Sequence, residues 1–257
     1  MKLGIWVFGL ANAAIGVVDS VWGALDPEHQ PLQAWGEHIP GSNVYAYAIG
    51  ILLIAGGAAV LSTRTRRAGA AVLALVYIIV AGFWLPRLVT APEYLGQSLG
   101  VYVGVLAGIC GELLVVFAAS IVYTGRVTPT LRVGFGLCVI AFGLQHLLNL
   151  HSPSNTSMVP VWMPLGQVFW VMLTGTAFVL AGLAIIIRVG DILAARLLAL
   201  MFLVFSVVTL IPFLIAAPHD EGNWGGNLYE LVVAASAWLY SEFAARRSAS
   251  AHTLSRR

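Results

Sequence analysis

Residues 97–123 read QSLGVYVGVLAGICGELLVVFAASIVY, and this stretch decides the fold. It carries one charge, Glu112, in a run long enough as a helix to cross about 30 Å of hydrocarbon. Hydrocarbon offers no partner to an open backbone, and the run is too long for a barrel strand, so it reads as a transmembrane helix. The rest of the chain agrees. Apolar residues make up 60% of the 257 and charged residues 9%, where soluble domains carry roughly 25% charge. A soluble globule and a disordered chain are both excluded.

Working outward, comparable runs occupy residues 4–25, 44–61, 68–89, 97–123, 129–150, 165–187, 192–216 and 225–245. The expectation is an all-α integral membrane protein of eight transmembrane helices. Lys2, Arg64, Arg66, Arg67, Arg126, Arg132, Arg188, Arg196, Arg246, Arg247, Arg256 and Arg257 fall on one side of these spans. The other side holds Asp26, Glu28, Glu37, Glu93, Asp220 and Glu221, with Arg87 as its sole cation. Short loops rich in Lys and Arg stay inside, so both termini are expected in the cytoplasm of a cell whose inner membrane holds the chain. Trp22, Trp35, Trp84, Trp162, Trp170 and Trp224 lie near the outer face, as an interfacial belt would. The first span opens like a secretory signal, with Lys2 and Ala11-Asn12-Ala13, but its apolar run continues well past Ala13.

The chain repeats at an offset near 125. Gly9 maps to Gly134, Gly50 to Gly175, Gly57 to Gly182 and Ala74-Leu75 to Ala199-Leu200. With a local shift, Glu112-Leu113-Leu114-Val115 maps to Glu230-Leu231-Val232-Val233. Each unit has an even number of helices, so the copies enter from the same side as a parallel repeat. The organisation expected is 1–125 and 126–246 as four-helix units, with 247–257 as a basic cytoplasmic tail.

The second half reads Gly134-Phe135-Gly136, Ala141-Phe142-Gly143-Leu144-Gln145-His146, Val159-Pro160-Val161-Trp162-Met163-Pro164, Trp170, Leu173-Thr174-Gly175, Ala181-Gly182-Leu183-Ala184 and Arg196-Leu197-Leu198-Ala199-Leu200. This order of pieces resembles the DoxX-like family of small four-helix membrane proteins, over residues 129–240. The first half is a weaker copy. The resemblance implies the four-helix unit and an association with quinone-linked redox chemistry.

Ionisable residues inside a span are costly and mark functional sites by default. Here they are Asp19, Glu112, His146 and Glu230, the candidate catalytic groups. Asn12, Asp19 and Asp26 share a helix face at intervals of seven, and Gln145, His146 and Asn149 cluster on another helix. Arg87, Trp84, Gln145, Asn149, Asn227 and Trp162 are the candidate ligand-binding groups. A carboxylic acid kept neutral by desolvation can give a proton to an apolar substrate, and a His beside a carboxylate can relay protons to a quinone oxygen. The expectation is therefore one outward-opening polar pocket for an apolar or quinone-like ligand, with a redox partner protein supplying electrons. An integral-membrane enzyme of cyclase or isomerase type and a transporter are the alternatives, as is a bundle with no ligand. The inner halves of the spans hold no comparable polar set, which weighs against a transport path.

Other chemistries fall away. Lys2 is the only lysine, so no helix offers a Schiff base. His29, His38, His151 and His219 match no zinc spacing, so no metal is expected. The net charge of +2 points to no nucleic acid. Cys110 and Cys138 form no C-x-x-C and read as small buried hydrophobes. Asn155-Thr156-Ser157 is a glycosylation sequon.

Overall fold

The computed structural model describes residues 3–25 and 41–254. Lys2, Asp26, Glu28, His29, Trp35, Glu37, His38, Arg256 and Arg257 lie outside the described residues, as do the side chains of the tail beyond Arg246. All regular structure among the described residues is helical. In order it comprises α1 (Leu3–Trp22), α2 (Ser42–Leu61), α3 (Arg66–Phe83), α4 (Arg87–Leu95), α5 (Leu99–Thr124) and α6 (Pro129–Leu148). There follow α7 (Pro153–Thr156), α8 (Gln167–Ile187), α9 (Asp191–Phe205), a π turn (Ser206–Leu210), α10 (Ile211–Ala216) and α11 (Glu221–Leu254).

Seven of these helices are long and apolar enough to cross a membrane: α1, α2, α3, α5, α6, α8, and α9 run on through α10. Their outward side chains include Leu10, Val17, Ile51, Leu75, Leu137, Leu180, Leu197 and Val207. An apolar surface this continuous suits lipid and not water. The eighth expected span falls in α11, which is not among the seven. Its 34 residues include Asn227, Glu230 and Glu242. Yet Val232–Ala237 and Leu239–Ser241 are buried, because α11 packs on α1, α5 and α9. A helix walled in by other helices need not be apolar all round.

The helices close a ring: α1, α2, α3, α5, α6, α8, α9 and α11 each pack on the next, and α11 returns to α1. Across the middle, α5 meets α11. The first helix of each half thus leans on the last helix of the other half, so neither half is walled off from its partner.

Local chemistry places the helix ends. Ser98 accepts from the Val101 N–H and Thr128 from the Leu131 N–H, each as an N-cap. Pro129 occupies the first turn of α6, where its missing N–H costs nothing, and Gly125 ends α5 in the left-handed region. The expected span 68–89 breaks earlier, at Phe83, because Pro86 lacks an N–H and its ring would strike the Gly82 carbonyl. Pro212 has a different consequence. The Ile211 N–H reaches back five residues to the Ser206 carbonyl, and the widened turn takes up the proline without breaking the span.

At the start of α11, Asp220 accepts from the Gly222 N–H, a capping contact. Burial and the neighbouring Asp220 charge push the Glu221 carboxyl up to about 7. Folding therefore takes up a proton at Glu221 between the ordinary glutamate range and pH 7. That stabilisation is fully present below pH of about 4.5 and is lost as pH rises through 7. The melting temperature in detergent should fall between pH 5 and 8, and Glu221→Gln should flatten the slope. An equal slope in the variant would assign the dependence to another group.

Candidate functional site

Helix pairing positions the polar groups. On α1 and α2, Gly9 lies against Gly57 and Gly16 against Gly50. On α6 and α8, Gly136 lies against Gly182 and Gly143 against Gly175. At each position a β-carbon would meet a carbonyl oxygen of the facing helix, so only glycine allows the approach. The flanking contacts match as well. Gly57 meets Ala13 where Gly182 meets Ile140, and Gly16 meets Ile54 where Gly143 meets Val179.

The shared contact pattern lies two residues from the letters that sequence matching pairs. Gly136, not Gly134, stands where Gly9 stands; Gly134 lies under the Phe117 ring instead. The offset is therefore 127 along α1 and α6 but 125 along α2 and α8. The two-residue difference aligns Asp19 with His146, each three residues after the inner glycine. Contacts agree: a β-carbon on Gly50 would lie 3.5 Å from Asp19 Cβ, and one on Gly175 would lie 2.8 Å from His146 Cβ.

Asp19 is 0% exposed and Glu112 1%. Gly108 and Glu112 are one turn apart and share a face of α5. On Gly108 rests the outer edge of the Trp84 indole, and the Arg87 guanidinium carbon sits 3.9 Å from the centre of the Trp84 ring. Trp84 and Arg87 are thus engaged with α5 and with each other. Trp84 is buried and does not belong to an interfacial belt.

In the second half, His146 Nδ1 lies 2.9 Å from the Phe142 carbonyl oxygen. A carbonyl only accepts, so Nδ1 carries the proton and Nε2 keeps its lone pair. The imidazole stands 5.4 Å from the Phe178 ring, which stacks on Phe142 at 5.7 Å and meets Phe202 at 5.5 Å. Three phenyl rings from α6, α8 and α9 thus form an apolar wall beneath one imidazole. On α11, Asn227 and Glu230 share a face, and Asn227 Oδ1 accepts from the Ser206 hydroxyl at 3.1 Å. His146 and Glu230 are both only partly buried.

Asp19 thus lies beside Gly50 of α2, and His146 beside Gly175 of α8 and the Phe178 ring. At the crossing of α5 and α11, a β-carbon on Gly111 would lie 2.7 Å from the Tyr229 hydroxyl and 3.3 Å from Phe142.

Several expected ligand groups hold the fold together. Gln145 donates to Asn155 Oδ1, Asn155 to the Asn149 carbonyl, and Asn149 to the Gly100 carbonyl. These amides pin the 149–166 connection onto α5 and α6. The nitrogen of Asn155 that would carry a glycan is the one donating to Asn149, and the residue is 9% exposed. The sequon is a structural clasp. Trp162 is 71% exposed on the same connection, away from the aromatic wall.

Sequence reading missed Tyr229, the phenyl wall and the cysteines as a pair. Cys110 and Cys138 lie near one another across the α5–α6 interface. Only a C-x-x-C motif makes such a pair visible in sequence. Among the described residues no group of three or more His, Cys, Asp or Glu side chains is placed to hold a metal ion. No family model, curated protein or solved structure matches the chain.

Proposed function

We propose that this chain is an eight-span, tandemly duplicated protein of the cell membrane, with both termini in the cytoplasm and resembling DoxX-like proteins. In this reading its second half binds a flat apolar ligand of the quinone type. The carrying observation is the His146 imidazole beside Phe142, Phe178 and Phe202, with Asn227, which shares a face of α11 with Glu230, hydrogen-bonded to Ser206 one turn beyond Phe202. Aromatic rings pack favourably against another flat ring at separations of this order. A protonated Glu230 carboxyl donates to one carbonyl oxygen of the head group, and His146 Nε2, an acceptor while Nδ1 holds the proton, takes up a proton before it donates to the other. Protons reach those oxygens through the same two side chains, while electrons come from a redox partner protein.

The span count rests on α11, whose burial against α1, α5 and α9 suits a helix sheltered from lipid. The duplication rests on the matched glycine contacts. The orientation rests on the arginines gathered at one side.

The test is retention of decylubiquinone by the purified protein through size exclusion, followed by extraction and quantification. His146→Ala and Glu230→Gln should each lower the retained quinone by at least half with unchanged elution. Full retention in both variants would remove these residues from any quinone site.

A further inference from the structure

Two equivalent positions in the halves differ in one respect. Gly108 and Gly226 each lie four residues before the glutamate of a central helix, Glu112 on α5 and Glu230 on α11. Against Gly108 lies the Trp84 ring; against Gly226 no atom lies within 4 Å. The burial of the four residues differs in the same sense. Asp19 and Glu112, in the half with the indole, are sealed at 0% and 1% exposure, while His146 and Glu230 are only partly buried.

We infer that the chain holds two equivalent sites for the same quinone-class ligand, and that the one in the first half is closed by Trp84. Its polar groups are Asp19, in the position of His146, and Glu112, in the position of Glu230. The Trp84 indole, a flat ring held beneath the Arg87 guanidinium, occupies space that the second half leaves free. A bicyclic ring is close in size and shape to a quinone head group, so the indole acts as a built-in occupant. Its counterpart in the second half falls at the π turn, whose residues SVVTL carry no aromatic side chain and where Ser206 hydrogen-bonds Asn227. The polypeptide thus has one working site and one filled site.

This rests on the quinone reading above, and ligand stoichiometry separates the two. Equilibrium binding of decylubiquinone to the purified full chain should give about one per chain, rising to two in Trp84→Ala. One per chain in both proteins overturns the closed-site inference and leaves the quinone reading standing. Two in the unaltered protein also overturns it. None in either protein removes the quinone reading and this inference together. A measurement without substitution guards against misfolding of the variant. An azido derivative of ubiquinone, photolysed on the unaltered protein, should label peptides of α6 and α11. Labelling of α2 or α3, which pack only on helices of the first half, would show the first-half site to be open and overturn the inference.

Discussion

Gly16→Leu and Gly143→Leu should leave little folded protein. A β-carbon on Gly16 would stand against the Gly50 carbonyl oxygen and 3.0 Å from the Ile54 amide nitrogen. On Gly143 it would stand 2.6 Å from the Gly175 carbonyl oxygen and 2.8 Å from the Val179 amide nitrogen. These are backbone atoms, which cannot swing aside as the end of a long side chain can. The helices must move apart, and the close contact along the whole pair is lost. Overpacking costs reach about 3 kcal/mol at their upper range, and a leucine at a backbone crossing belongs there. That is a large share of the stability of an ordinary domain. The measurement is the monodisperse fraction and melting temperature in detergent. Gly82→Ala is the control: no atom lies within 4 Å of its β-carbon position, so helix propensity should make it neutral or slightly stabilising. Equal behaviour of Gly16→Leu and Gly82→Ala would show that the crossing has slack.

Phe8→Ala and Phe135→Ala should each cost about 3–5 kcal/mol, the range for emptying a buried phenylalanine site. Both rings are 0% exposed. Each precedes the outermost glycine of its helix pair by one residue, so they are equivalent under the offset of 127. Phe135 packs 5.2 Å from the Tyr240 ring, and the Tyr240 hydroxyl donates to Asp191 Oδ2 at 3.1 Å. Emptying that site loosens α6 from α11 and disturbs a partly buried hydrogen bond as well. Chemical unfolding in mixed micelles should therefore show losses of similar size, with Phe135→Ala the larger. A loss at Phe135 with none at Phe8 would mean that the halves share contacts but not energetics.

Much of this was legible in the chain. The apolar runs located seven helices, six of them to within a few residues at both ends and the third too long by six, because hydrocarbon demands both length and a closed backbone. The eighth run was seen by its apolar core, but its composition reflects neighbours that only packing supplies. Pro86 and Pro212 look alike in sequence, yet one ends a helix and the other is taken into a π turn. The difference lies in what surrounds each bend. Gln145 and Asn149 looked like ligand groups because an amide near a membrane surface suits either a ligand or a loop. The choice depended on which carbonyls came within reach.

The repeat shows the division most clearly. Sequence matching put Gly9 with Gly134, because a local alignment rewards identical letters and a glycine stood at the expected distance. Helix contact put Gly9 with Gly136, because only there do two backbones touch. The sequence by itself determined that this protein is built of long apolar helices and that Asp19, Glu112, His146 and Glu230 are the ionisable groups sunk among them. Periodicity says which face of a helix is polar, since that follows from the turn of the backbone alone. What each face meets is a property of pairs of helices distant in the chain. Tertiary structure alone decided that Asp19 lies beside Gly50 and His146 beside Gly175, that Cys110 lies beside Cys138, and that the Trp84 indole rests on Gly108.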